Sequence, residues 1–562
     1  MSGYLLSILI WLPLFAAVVV LFTPRQSVGV IRWFSVLVML VELGISLLLL
    51  TGDYTSAQFQ FAERAVLVEK LGITYSLGVD GISLWLVLLT TLLTPLATYS
   101  SWTAIHTKVK EYAFSFLLLE TGMLGAFIAL DVLLFYVFWE LMLIPMALII
   151  GIWGGPNRVY AAIKFFLFTM VGSLFMLVAI IYLAVQYQAQ TNLYTFELAK
   201  LTELVLPVNI QIWLFAAFAL AFAVKVPMFP LHTWLPDAHV EAPTGGSVIL
   251  AAVLLKLGCY GFLRFAMPLF PSASHRFIPT LVVLAIVGII YGAYCAWVQK
   301  DFKKLVAYSS VSHLGFVMLG LFSVTPQGLS GSILQMVNHG ISTGALFVLV
   351  GVIYERRHTR DLNEFGGLAK VMPNYALIFV VVALSSAGLP GTNGFVGEFM
   401  ILSGAFLSEF FGERAPLYTL FAATGVVLAA VYLLHAVLKV FFGPADNEKN
   451  QHLPDLTARE LTVLAPLVLF VFWIGLYPNT FLKSMEPSIK AFTDNYSAKL
   501  KAGDDAPTQR AVVKAAVNIF PQTVSETGMN QESEEKKADR DRNQARSDGE
   551  VEIFAQVAGG LR

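Results

Sequence analysis

The 562-residue chain is 57% hydrophobic and only 13% charged, with a formal net charge of −1. Such a composition points to a polytopic membrane protein, and with no basic, aromatic-interleaved patch it excludes nucleic acid as a partner. The two cysteines, Cys259 and Cys295, exclude a self-contained four-cysteine iron–sulfur cluster and a disulfide framework. With no dinucleotide fingerprint and no Walker P-loop either, no cofactor is expected in this chain.

At about 20 apolar residues per crossing, an all-α fold of about fourteen spans is expected. They lie near 4–22, 30–51, 81–100, 112–130, 132–151, 160–184, 209–227, 246–268, 278–298, 303–322, 328–353, 375–406, 416–442 and 461–483. No basic region precedes the first, which reads as a retained helix and not as a signal peptide. Asp131 separates the fourth and fifth spans with almost no loop. The seventh runs into FAVKVPMFPLHTWLPDAHVEAPT at 222–244. Pro227, Pro230 and Pro236 each lack an N–H and cannot all sit in one regular helix, so this span is predicted to be broken. The twelfth is too long for a straight crossing, and its Gly388, Pro390, Gly391 and Gly394 mark a second break.

The two breaks are five spans apart. An odd number of spans per unit inverts orientation, so two inverted five-helix units are expected, spans four to eight (112–268) and nine to thirteen (278–442). Helices one to three (1–111) precede them. A last helix (443–489) and a polar tail (490–562) follow, the tail being expected to be disordered. Loops on one face hold fourteen Lys and Arg, those on the other five. That bias places the N-terminus outside, and an even span count places the C-terminus there too.

A charge at the bilayer centre costs about 2.5–3.5 kcal/mol, so intramembrane ionisable residues are functional candidates. Glu140 sits in the middle of the fifth span, Lys225 at the break of the seventh and Lys256 in the middle of the eighth. Lys225 is the natural ionic partner of Glu140. Lys256 has no acid in its own helix and is expected to take up and release a proton. His313 and His339 continue a polar line through spans ten and eleven, since imidazole relays protons through either nitrogen. Glu398, just past the second break, is the expected acceptor at its end. Glu120, His232, His239, His435 and Lys439 are secondary candidates. Glu120 could support Glu140 or pair locally; Asp237, His232 and His239 could cap a loop, form an entry or make a weak metal site; Lys439 could snorkel.

Several stretches resemble the antiporter-like proton-pumping membrane subunits of respiratory complex I: LGVDGISL (77–84), LLFYVFWELMLIPM (133–146), the broken stretch 222–244, LLKLGCYGFLRF (254–265), SHLGF (312–316), NHGISTGALF (338–347) and GLPGTNGFVGEF (388–399). In that family, chains L and N and the Mrp antiporter chains typically carry a lysine on the twelfth helix. One branch carries a glutamate, as Glu398 does here. The resemblance implies a respiratory NADH–quinone oxidoreductase subunit in a bacterial inner membrane, beside chains L and N. NADH, FMN, iron–sulfur clusters and quinone would sit in partner subunits. A signal from quinone reduction would alter the Glu140–Lys225 pair, and a proton would pass from Lys256 by way of His313, His339 and water to Glu398. A Mrp-type sodium–proton antiporter or membrane-bound hydrogenase subunit is the alternative, and a spacer moving no proton is a third reading.

Overall fold

The computed structural model describes residues 2–504. Twelve helices among them are long and apolar enough to cross a membrane, from Leu5–Phe22 to Ala458–Leu476, and each coincides with an expected span. The remaining two expected spans are shorter helices. The third is Leu84–Ser100. The twelfth is split into Pro373–Ser386 and Asn393–Phe406, as its glycines and proline predicted. Gly388 (φ 78°) and Gly391 (φ 90°) bracket Pro390 in the break, in backbone conformations that favour glycine. The seventh span stops at Lys225, and a short helix, Trp234–Glu241, resumes after the turn. Pro227 lies in that turn. Pro236 lies in the first turn of the short helix, where a missing N–H costs nothing.

The spans are not equally buried. The eighth (Thr244–Leu269) and eleventh (Pro326–Arg357) are wholly enclosed by protein and the tenth (Phe302–Ser323) nearly so, whereas the second and fourteenth bury about a third of their most apolar stretch. These central helices carry Lys256, His313 and His339. The candidate residues therefore sit at the bundle axis.

One local construction occurs twice. Asp131 caps the fifth span, accepting from the backbone N–H groups of Leu133 and Leu134 at 3.0 Å each. Asp301 caps the tenth, accepting from Lys303 (2.8 Å) and Lys304 (3.0 Å). Beside each cap the chain forms a two-bond antiparallel bridge to the loop that follows the next helix. Val132 donates to Phe196 and Leu198 to Leu130 in one; Phe302 donates to Arg360 and Leu362 to Lys300 in the other. The two copies are five spans apart along the chain.

Two features depart from the sequence expectations. Residues 60–79, expected as loop, form an antiparallel hairpin of β1 (Gln60–Val68) and β2 (Ile73–Val79). Its Glu63 accepts from the N–H groups of Leu6 (2.8 Å) and Ser7 (3.2 Å) at the start of the first span. Residues 490–504, expected to open the polar tail, instead continue a helix, Asn479–Asp504. It buries Phe481, Met485, Ile489 and Tyr496 along one face. It is tied down by Trp85 Nε1–Ser484 Oγ (2.8 Å), Ser274 Oγ–Tyr496 Oη (2.7 Å) and Lys499 Nζ–Thr202 O (2.6 Å). The rest of the expected tail, 505–562, lies outside the described residues.

Candidate functional site

Four of the expected residues form a row. Lys256 is fully buried, and its Nζ lies 2.6 Å from His339 Nδ1. The amine also donates to the Ala251 carbonyl. That carbonyl belongs to a π-helical turn, Leu250–Leu254, and a second π turn, Phe262–Ala266, follows Lys256. Such wide turns recur at functional sites. Across the Lys256–His339 contact either an ammonium donates to the ring nitrogen or a ring N–H donates to a neutral amine, so one proton can sit on either side. His339 Nε2 has no partner among the described residues. Its ring centroid is 5.8 Å from that of His313, which is the one discontinuity in the row. His313 Nδ1 lies 3.0 Å from Glu398 Oε1, and its Nε2 lies 3.1 Å from the Tyr432 hydroxyl. The geometric order is thus Lys256, His339, His313, Glu398, with the two histidines reversed from the expected sequence of transfer.

Neutral polar side chains fix the far end. Gln335 donates to Glu398 Oε1 at 3.2 Å. Asn338 donates to the Asn393 carbonyl at 2.7 Å, which ties the eleventh span to the broken twelfth. A Cβ at Gly388 would stand 3.1 Å from Glu398 Oε2, so the break lies directly against this carboxylate.

The expected Glu140–Lys225 ion pair is not closed. No contact within 4.0 Å joins them, although they are near enough for the carboxylate to act on the amine. The Lys225 ammonium instead lies over the rings of Trp139 (5.1 Å) and Phe165 (5.7 Å), where the ring quadrupole attracts a cation. Glu140 Oε1 is buried without a partner among the described residues. The seventh and eighth spans approach closely here: a Cβ on Gly258 would be 2.7 Å from the Phe222 carbonyl oxygen.

The secondary candidates divide. His239 is fully buried, stacked on Phe347 with centroids 4.6 Å apart, and feels the charges of both Lys303 and Lys256. Lys303, at the start of the tenth span, is buried and donates to the Ala242 carbonyl. Lys303, Glu241 and Arg360 line a cavity of about 510 Å³ at the basic end of the bundle. His232 is buried against Phe229 and Tyr291. Asp237 is held by Lys164 at 2.7 Å, and among the described residues no three His, Cys, Asp or Glu side chains gather as a metal site requires. Glu120 neighbours Glu42 of the second span. His435 is exposed and Lys439 only half-buried, so neither joins the row. Sequence reasoning also missed Gln335 and Tyr432, neutral groups in apolar spans, and the Arg264–Asp80 pair near the C-terminal end of the eighth span (2.5 Å).

Comparison with known proteins gives one consistent answer. A family model described as NADH:quinone oxidoreductase/Mrp antiporter, transmembrane, matches residues 129–412. NADH-quinone oxidoreductase subunit M of Rhodobacter capsulatus is 46% identical over 88% of this chain and 98% of its own length. NADH-ubiquinone oxidoreductase chain 4 of Arabidopsis thaliana is 43% identical over 86% of this chain and 96% of its own. Among solved structures, a chain of respiratory complex I from Thermus thermophilus matches with TM-score 0.78 and 33% identity, covering 87% of this chain and 99% of that one. A chain of the Mrp complex from Dietzia sp. shares the fold, with TM-score 0.74 at 21% identity over 88% of this chain and 98% of that one. The chain therefore belongs to the NADH:quinone oxidoreductase/Mrp antiporter membrane family, in its complex I subunit M branch.

Proposed function

We propose that this chain is a proton-translocating subunit in the membrane arm of a respiratory NADH:quinone oxidoreductase, and that the proton travels along Lys256, His339, His313 and Glu398. The observation that carries this reading is the row itself: four titratable side chains from four different spans, buried at the axis of the bundle. An inlet is supplied by the cavity at the basic end, from which Lys303 and His239 lead inward to Lys256. The basic end would face the cytoplasm by the positive-inside bias, with both termini outside. Glu140 and Lys225 sit off the row. Closing their gap would pull Lys225 from its aromatic seat and change the field at Lys256. The redox groups would reside in partner subunits, with chains L and N as neighbours.

Moving one charge against 100 mV costs about 2.3 kcal/mol. A shift of about two units in proton affinity at one site, at 1.36 kcal/mol per unit, meets that cost. The test is Lys256→Ala in the assembled complex, with NADH–quinone reduction and proton pumping measured in inverted membrane vesicles. Both should be lost together, because pumping and turnover are coupled. An assembled variant that keeps both would leave only the spacer reading. Sodium-dependent exchange by the chain in vesicles, without quinone reduction, would favour the Mrp-type alternative with which it shares a fold.

A further inference from the structure

Outside this row, two more carboxyl groups meet in the first helices of the chain. Glu42 on the second span and Glu120 on the fourth are both fully buried. Each carboxyl is close enough to act on the other. Among the described residues, no donor is hydrogen-bonded to any of their four oxygens. The neighbouring hydroxyls are spent elsewhere: Thr94 donates to the Thr90 carbonyl (2.7 Å), Thr90 to the Leu86 carbonyl (2.8 Å), and Ser46 is engaged with Thr91 (2.8 Å). Among the described residues no cation acts on either carboxyl. The first and third spans, packed on either side, carry no charged residue. Arg32 of the second span binds the Ile105 carbonyl (2.6 Å), and Glu111 of the fourth is held by Arg25 (2.8 Å). On the far side of the fourth span, Glu140 lies by Lys225 and Lys256 is engaged with His339.

Two carboxylates side by side in a low-dielectric interior cannot both ionise. Leaving either charged and unpartnered would cost several kcal/mol. One proton between them resolves both problems, as a carboxylic acid donating to a carboxylate. We propose that Glu42 and Glu120 form a proton-sharing carboxyl pair, a proton-binding site separate from the lysine–histidine row. The two halves come from different helices, so a relative shift of the second and fourth spans would break the shared bond and change the pair's hold on its proton. The site stands whether or not the row carries the pumped proton.

The test is labelling of the intact, purified complex with a hydrophobic carbodiimide, which adds only to protonated carboxyls, with the modified residues located by mass spectrometry. The expected adduct is on Glu42 or Glu120, with a yield falling less than about threefold from pH 6 to pH 8. An ordinary carboxyl loses its proton about 100-fold over those two units. Absence of an adduct on either residue, in a complex whose denatured chain is labelled at both, would overturn the proposal. So would a yield that falls about 100-fold. Protection by sodium but not by potassium at fixed ionic strength would make this a sodium site and likewise refute it. As a second measurement, the carboxylic-acid band in pH-difference infrared spectra should vanish in the double variant Glu42→Gln/Glu120→Gln and persist in Glu140→Gln. A band unchanged in the assembled double variant sinks the pair.

Discussion

His339 is the residue whose loss the row should feel most. Its Nδ1 makes the 2.6 Å contact with Lys256, and its ring faces His313 across 5.8 Å. In His339→Phe an aromatic ring of similar shape fills the place but carries no proton. Lys256 keeps only the Ala251 carbonyl. A hydrogen bond to a charged group is worth about 1.5–3 kcal/mol. At about 1.4 kcal/mol per factor of ten, the proton-bearing state of Lys256 should become 10- to 150-fold harder to reach. The assay is NADH-driven acridine-dye quenching in inverted vesicles, alongside NADH–quinone reductase rate and a native gel for assembly. Pumping and turnover should both fall at least tenfold in an assembled complex. His339→Gln refines the result: its amide oxygen can still accept from Lys256 but cannot relay, so it should hold assembly and stay inactive. An assembled His339→Phe complex that pumps at the wild-type rate would refute the relay, and an active His339→Gln complex would reduce His339 to a positioning residue.

Glu398→Gln keeps the side-chain size but removes the carboxyl that faces His313 and Gln335; pumping should fall at least tenfold with assembly intact, and unchanged pumping would remove Glu398 from the path. Tyr432→Phe deletes one hydrogen bond to His313, a loss of about 0.5–1.5 kcal/mol, so pumping should fall by no more than about tenfold and the pH profile should shift. Gly258→Ala puts a methyl against the backbone of the seventh span; overpacking of about 1–3 kcal/mol should lower the melting temperature of the purified complex, and an unchanged melt would mean the two helices separate freely. Asp455, in the loop before the fourteenth span, accepts from the N–H groups of Asn374 (2.9 Å) and Tyr375 (3.0 Å), which open the twelfth. Burial raises its carboxyl, but the backbone N–H groups of Asn374, Leu456 and Tyr375 outweigh it and hold the group below the ordinary aspartate value. Its contribution, about 0.5–2 kcal/mol as a helix cap, is full above the unfolded value near 3.9 and is lost as pH falls through the lower folded one. The melting-temperature gap between wild type and Asp455→Ala should therefore narrow below about pH 4, and a constant gap would exclude the ionised cap.

Much of the site was legible because a charge in an apolar span is conspicuous. Lys256, His313, His339 and Glu398 stand out in runs of Leu, Val and Phe, and the prolines and glycines at 227, 236, 388 and 390 announce the breaks. What one sequence does not encode is how long side chains settle. Lys225 had Glu140 as its obvious partner, yet two aromatic rings hold the ammonium. Gln335 and Tyr432 carry no charge and gave no signal until the fold turned them inward. Glu42 did give one, a lone carboxylate in the second span, by the same rule that marks Glu140. The helix 479–504 was readable too, since Phe481, Met485, Ile489, Phe492 and Tyr496 recur every three or four residues. Its polar composition masked that stripe. The hairpin at 60–79 is two strands alone, and its pattern is too short to compete with the surrounding loops.

The twin caps make the molecule its own control. Asp131 and Asp301 use one carboxylate oxygen identically, on two backbone N–H groups. They differ in the other oxygen, which takes the backbone and hydroxyl of Thr74 in one copy and the guanidinium of Arg360 (3.1 Å) in the other. Asparagine at each position in turn removes the same charge from the same cap. The difference between the two measured losses thus separates a neutral clasp from an ionic one, at matched geometry, within a single polypeptide.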